Sequence, residues 1–190
     1  MTAHKEKIIF IDRDGVINED PIGDSVKFWE DFRFIPGVVD ALKLLSSAGF
    51  QIIIISNQAG IGDGEYTEKA LDKITKNMLR ELEIKDIPIR QVYYCLHGKE
   101  AGCNCRKPKT GLFEQAAREI SFDPRETYFI GDKLSDVQAG KNFGLKTIFV
   151  LTGHGNLDKS KLTGSSIPEK IFPSLKEAVD YLLKKSKPND

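Results

Sequence analysis

Residues 8–18 read IIFIDRDGVIN. The apolar run Ile8–Ile11 passes directly into Asp12, Arg13, Asp14 and Gly15. A short run of branched and aromatic apolar residues ending at a glycine predicts a parallel strand buried on both faces. Ending that strand in D-x-D-G puts two carboxylates at the carboxyl edge of a sheet, where open α/β folds bind ligands. Carboxylates that close repel each other and require a cation, a shared proton, or both.

The same strand pattern recurs outward from this stretch. Lys7–Asp12, Gln51–Ser56, Gln91–Cys95, Thr127–Gly131 and Thr147–Leu151 are expected to be five strands. Helices are expected over Val38–Ala48, Thr67–Glu83, Gly111–Ile120, Ser135–Phe143 and Leu175–Lys185. Leu42, Leu45 and Ala48 share one face of the first helix, and Ser174 with Glu177 forms a capping-box signature before the last. Strands alternating with helices imply a parallel sheet with right-handed crossovers. The expected fold class is therefore α/β, a Rossmann-like three-layer sandwich around a central parallel sheet. Lys159–Pro173 shows no period and reads as a surface connection, and Ser186–Asp190 reads as a frayed tail.

A chain of 190 residues suits one domain, expected to span 1–190. Hydrophobic residues make up 40% and charged residues 29%, ordinary for a soluble globular protein. Lys+Arg and Asp+Glu both number 28, which argues against a generally basic nucleic-acid binder. No apolar run approaches the roughly 20 residues that span a bilayer, so no membrane partner is expected. MTAHKEK at the N-terminus lacks the apolar core of a signal peptide. The default is a cytoplasmic monomer.

Four strands are followed by residues that carry chemistry. After the first come Asp12 and Asp14; the second leads into Ser56 and Asn57; beyond the third lie Arg106 and Lys107; the fourth ends in Gly131, Asp132 and Lys133, with Asp136 following. Each piece alone has a plain reading as a surface turn, a helix cap or a solvated loop. Their order at four strand ends is what matters, because those ends share one edge of a doubly wound sheet. Converging carboxylates, a hydroxyl, an amide and cations suit phosphoryl transfer, where the work is positioning and charge neutralisation.

A second cluster lies in YYCLHGKEAGCNCRKP. Cys95, His97, Cys103 and Cys105 include all three cysteines of the chain. Three thiolates and an imidazole complete a closed tetrahedral zinc shell, a structural geometry. The alternatives are reduced thiols or a disulfide, the latter disfavoured in the cytoplasm. Zinc on the 95–105 loop would fix the backbone that presents Arg106 and Lys107. His4 and His154 read as solvated, with His154, in TGHG after the fifth strand, also placed where it could approach the pocket.

On these motifs the chain resembles the haloacid dehalogenase-like phosphatase superfamily from Ile8 to about Gly155. The resemblance implies that Asp12 is the nucleophile, forming an aspartyl-phosphate, and Asp14 the general acid/base. Ser56 would hold the phosphoryl group with Asn57 nearby, and Lys107 would balance charge. Asp132 would bind Mg²⁺ together with the Asp12 carboxylate and the Asp14 backbone carbonyl, with Asp136 orienting the site. Mg²⁺ and Lys107 favour ionised Asp12, while a neighbouring carboxylate and partial burial should raise the proton affinity of Asp14.

The segments Asn18–Gly37 and Asn57–Lys107 leave no room for a separate cap domain. Specificity is expected from the Asp20–Phe34 loop, the Gly60–Tyr66 loop and the zinc loop. DRDGVIN, SNQAGI, YYC-x-H, C-x-CRKP and GDKLSD are similar to the zinc-containing branch, which holds heptose-bisphosphate 7-phosphatases and histidinol-phosphate phosphatases. SNQAGIGDGEYTE, GDKLSDVQAG and VLTGHG look more like the heptose group, whereas the short spacer between His97 and Cys103 resembles the histidinol group. The implied substrate is a phosphorylated sugar, D-glycero-D-manno-heptose 1,7-bisphosphate, with Arg106, Lys133 and Asn57 as binding residues and histidinol phosphate as the alternative. A phosphotransferase and a non-catalytic zinc-ordered binding module are the readings from other classes.

Overall fold

The computed structural model describes residues 6–22 and 24–185. His4 and the expected tail Ser186–Asp190 lie outside them. The elements in chain order are β1 (Lys7–Ile11), α1 (Val38–Ser47), β2 (Phe50–Asn57), α2 (Ala59–Gly62), α3 (Glu68–Glu83) and β3 (Ile89–Cys95). After these come α4 (Gly111–Glu119), β4 (Tyr128–Gly131), α5 (Leu134–Phe143), β5 (Lys146–Val150), α6 (Gly155–Asp158), β6 (Lys170–Phe172) and α7 (Leu175–Lys185).

All strand pairs are parallel, and the sheet order is β3-β2-β1-β4-β5-β6. The order reverses between β1 and β4, which makes their carboxyl ends the switch point where such sheets bind ligands. The Asp12 N–H donates to the Ile130 carbonyl at 2.9 Å, tying β1 to β4 there.

Period-two alternation splits the strands between two cores. Ile9, Ile11, Ile52 and Ile54 pack with residues of α1, α3 and α7, including Leu42, Met78 and Val179. Ile8, Phe10, Ile53 and Ile55 pack on the other face with Leu112, Phe113 and Ala116 of α4 and Ala139 of α5. Phe10, Phe113 and Phe129 meet edge to face, with centroids 5.2 and 5.1 Å apart. Helices on both faces make the three expected layers.

The last helix begins as expected: the Ser174 hydroxyl donates to Glu177 and accepts the Lys176 N–H. Thr67 caps α3 by accepting the Ala70 N–H. The connection Lys159–Pro173 differs from expectation. It carries two 3-10 turns and β6, which pairs with β5 as the sheet's edge. β6 is short and mostly exposed, so no alternation marks it in the sequence. Among the described residues, no helix is long and apolar enough to cross a membrane.

Among the described residues, no separate cap covers the carboxyl edge. Among the described residues between 19 and 37 the chain forms a loop and a 3-10 turn, Trp29–Asp31. An antiparallel bridge between Asn18 and Phe34 closes its base.

Candidate active site

The four strand ends deliver their side chains to one place. Asp12, Ser56, Lys107, Asp132 and Asp136 are all buried. With Asp14, Asn57, Lys133 and Ser135, most of them line a narrow cleft. The cleft opens into a cavity of about 380 Å³. Asp20, Asp24, Ser25 and Val26 line this cavity on one side, Gly60, Glu65 and Tyr66 on another, and Lys99 and Arg106 on a third. All three loops expected to set specificity are represented.

Lys107 is the electrostatic hub. Its ammonium lies 3.0 Å from Asp12 and 2.6 Å from Asp136, and donates to the Ile55 carbonyl at 3.1 Å. Burial alone would lower its proton affinity, but the two carboxylates reverse this and hold it charged. Asn57 fixes its backbone from both sides: the amide nitrogen donates to the Lys107 carbonyl, and the amide oxygen accepts the Lys107 N–H. Asn57 lines the cavity, yet its amide is engaged by Lys107.

Carboxylate oxygens of Asp12, Asp132 and Asp136 lie within 4.8 Å of one another and could hold a cation. Burial pushes the Asp12 carboxyl up to about 6 despite Lys107, with Asp136 adding to the rise. Burial likewise raises Asp132 well above the usual carboxylate range. Asp132 Oδ2 accepts the His154 N–H at 2.7 Å, while the buried Oδ1 has no hydrogen-bond partner. An unpartnered buried carboxylate oxygen beside two further carboxylates fits a magnesium site. Gly15 and Gly153 make room for Asp132. Both have positive φ, and a Cβ on either would stand 2.2 or 2.3 Å from Asp132 Oδ2.

Asp14 corrects an expectation. Its carboxylate is not part of that cluster; it accepts from Arg13 Nη2 at 2.8 and 3.0 Å and from Arg13 Nε at 3.0 Å. Asn18 and Gln58 donate to it as well. Burial alone would raise its proton affinity, but Arg13 and the amide donors outweigh burial and lower it. The expected upward shift reckoned with the neighbouring carboxylate and overlooked the cation between the two. That signal stood in the sequence, as the Arg of D-R-D.

His154 reaches the pocket, the second of its two expected placements. Its ring lines the cavity, 3.3 Å from Asp20, and Asp20 accepts a bond from Lys133 Nζ at 2.8 Å. Lys133 thus reaches the site already paired with a carboxylate. Gln58 and Tyr66 are further site residues that single-residue reasoning missed. Arg106 keeps a buried Nη1 with no hydrogen-bond partner, beside the cavity.

Cys95, His97, Cys103 and Cys105 converge as the spacing predicted. Their sulfur–sulfur distances are 3.1, 3.5 and 3.6 Å, and His97 Nδ1 lies 3.2 Å from Cys105 and 3.8 Å from Cys95. Ligands on a tetrahedral zinc at about 2.3 Å would stand about 3.8 Å apart, so the cluster is sized for such an ion. The thiols are free. The loop rests on α2: a Cβ on Gly62 would meet Gly98 N at 2.0 Å, and Asp63 accepts the Lys99 N–H at 3.2 Å.

The chain is similar to known phosphatases. Residues 104–178 match the HAD-hydrolase-like family. The D-glycero-beta-D-manno-heptose-1,7-bisphosphate 7-phosphatase of Haemophilus ducreyi is 38% identical, covering 93% of this chain and 98% of that one. The alpha-named enzyme of Campylobacter jejuni is 36% identical, covering 95% and 98%. A crystal structure of D,D-heptose 1,7-bisphosphate phosphatase from B. bronchiseptica, complexed with magnesium and phosphate, superposes with a TM-score of 0.89. It shares 29% identity and covers 95% of this chain and 99% of its own. The chain is a phosphoric monoester hydrolase with the HAD-like fold, and it belongs to the D-glycero-D-manno-heptose-1,7-bisphosphate 7-phosphatase family.

Proposed function

We propose that this protein removes the 7-phosphate of D-glycero-D-manno-heptose 1,7-bisphosphate by way of an aspartyl-phosphate on Asp12, with Mg²⁺ in the site and zinc in the cysteine loop. The observation that carries this reading is Asp12 held 3.0 Å from Lys107, beside an Asp132 oxygen with no hydrogen-bond partner.

Asp12, Asp132 and the Asp14 carbonyl would hold Mg²⁺, which when bound neutralises charge on the carboxylates and the phosphoryl oxygens. Lys107 keeps Asp12 in line and takes up part of the same charge. Asp12 attacks phosphorus, and the bond to the sugar oxygen breaks. Asp14 gives that oxygen a proton, then takes one from the water that cleaves the acyl-phosphate. Arg13 holds free Asp14 ionised, so its proton must arrive with the substrate, whose phosphoryl charge raises the proton affinity of a nearby carboxylate. Ser56 donates to a phosphoryl oxygen. Asp136 holds Lys107 from behind, and Asn57 fixes its backbone.

Arg106, with a free buried nitrogen, and Lys99 suit the second phosphate of a bisphosphate, since a guanidinium can grip it with two parallel bonds. Zinc on the four-ligand loop would set the backbone leading into both Arg106 and Lys107. Reduced thiols ready for zinc suit a cytoplasmic enzyme of one domain.

The test is turnover of heptose 1,7-bisphosphate against histidinol phosphate, with and without Mg²⁺. Mg²⁺-dependent release of one phosphate, strongly favouring the bisphosphate, is expected. Preference for histidinol phosphate would overturn the substrate, and no release from either would overturn the phosphatase. Adding alcohols separates water from other acceptors, because a phosphotransferase would yield a new ester in place of inorganic phosphate.

A further inference from the structure

Gln58 is buried, 3% exposed, and both ends of its amide are filled. The nitrogen donates to Asp14 Oδ2 at 2.7 Å and to Ser56 Oγ at 3.0 Å. The oxygen accepts Arg13 Nη2 at 3.1 Å and the Tyr66 hydroxyl at 2.6 Å. Two donors and two acceptors are the full capacity of a side-chain amide. Its orientation is therefore chemically determined: a guanidinium can only donate, so the oxygen faces Arg13 and the nitrogen faces Asp14.

This arrangement has a consequence for Ser56. A serine hydroxyl has one proton, which rotates to whichever acceptor is nearest. Because Gln58 donates to Ser56 Oγ, that proton is directed away from Gln58. Ser56 also lines the narrow cleft beside Asp12 and Lys107. We propose that Gln58 is a positioning residue that turns the Ser56 hydroxyl into a dedicated donor to the phosphoryl group. The same amide places Asp14, so one side chain sets the geometry of both the phosphate-holding and the proton-handling groups. Tyr66, at the cavity wall, locks the amide from its far end.

The inference rests on the phosphatase reading, and its test separates the two. Mg²⁺-loaded protein is titrated calorimetrically with inorganic phosphate as wild type, Gln58→Met, Ser56→Ala and the double variant. Each single variant is expected to bind phosphate about tenfold more weakly, the scale of one hydrogen bond to a charged oxygen. The double variant should then bind no more weakly than Ser56→Ala alone, because Gln58 acts through Ser56. A residue that merely filled space would not show that coupling. Losses that multiply, or unchanged affinity in Gln58→Met, overturn the inference while leaving the phosphatase intact. A wild type that binds no phosphate overturns both. Gln58→Met leaves the Tyr66 hydroxyl without its acceptor, while Arg13 keeps Asp14; if it fails to fold, the same cycle is run in Tyr66→Phe protein, where that donor is gone.

Discussion

The Lys107 ammonium lies 3.0 Å from the Asp12 carboxylate, with both side chains almost sealed from water. Lys107 also faces Asp136, at 2.6 Å, so one cation serves two carboxylates, and Asp132 stands beside them. The site has more negative charge than its lysine can balance, which is the arrangement of a cation-dependent nucleophile.

Asp12→Asn should therefore abolish turnover and spare the fold. Loss of the nucleophile is expected to lower kcat by about 10³-fold or more. Removing one of three crowded carboxylates should leave the melting temperature of Mg²⁺-free protein unchanged or higher. Phosphate release and thermal denaturation measure the two effects. Activity near the wild-type level would refute Asp12 as the nucleophile.

The same crowding fixes a pH dependence. The Asp12 carboxyl is pushed up to about 6 in the folded chain, above its ordinary value of 3.8, and Asp132 is raised as well. An acid with a raised folded pKa is destabilising when ionised. Its cost is fully present above the folded pKa and fades as pH falls toward the unfolded value. Mg²⁺ offsets that cost. The rise in melting temperature on adding Mg²⁺ should be larger at pH 8 than at pH 5, and an equal or smaller rise at pH 8 would contradict the electrostatic account.

The sequence revealed what lies in one strand and the turn after it. Asp12 and Asp132 could be placed together because each directly follows an apolar run, and Lys107 because the cysteine loop after the third strand leads into it; parallel strands put their carboxyl ends on one edge. β6 was hidden because three mostly exposed residues carry no period. Asp20 and Lys133 pair across 113 positions, and His154 joins them from a third loop. No local pattern encodes such a meeting. Gln58 was masked for another reason: beside Ser56 and Asn57 it looks like one more turn residue, and its importance lies in joining the local partners Ser56 and Tyr66 to Arg13 and Asp14, which the tertiary fold brings to it.

The cysteine loop gives a metal-content prediction. Purified protein should carry about one zinc per chain, by the four-ligand geometry. Cys105→Ser should lose it, with a lower melting temperature and impaired turnover, because Cys105 directly precedes Arg106 and Lys107. Elemental analysis beside thermal denaturation provides the check. A folded, unchelated protein without zinc would remove the site, and a zinc-free Cys105→Ser with normal turnover would remove its positioning role.

Arg106 offers the sharpest test of the bisphosphate. Its buried Nη1 has no hydrogen-bond partner, and the side chain lines the cavity. A buried guanidinium nitrogen without a partner gains a charge-assisted bond when an anion arrives. Arg106→Lys keeps the charge but loses the planar fork. It should raise KM for the bisphosphate about tenfold or more, the scale of one lost charge-assisted bond, with little change in kcat. For a sugar bearing only the phosphate to be cleaved, KM should hardly move, because the remote group that Arg106 grips is absent. Steady-state kinetics on the two substrates decides the matter. An equal rise in KM for both would place Arg106 at the reacting phosphate instead of the distant one.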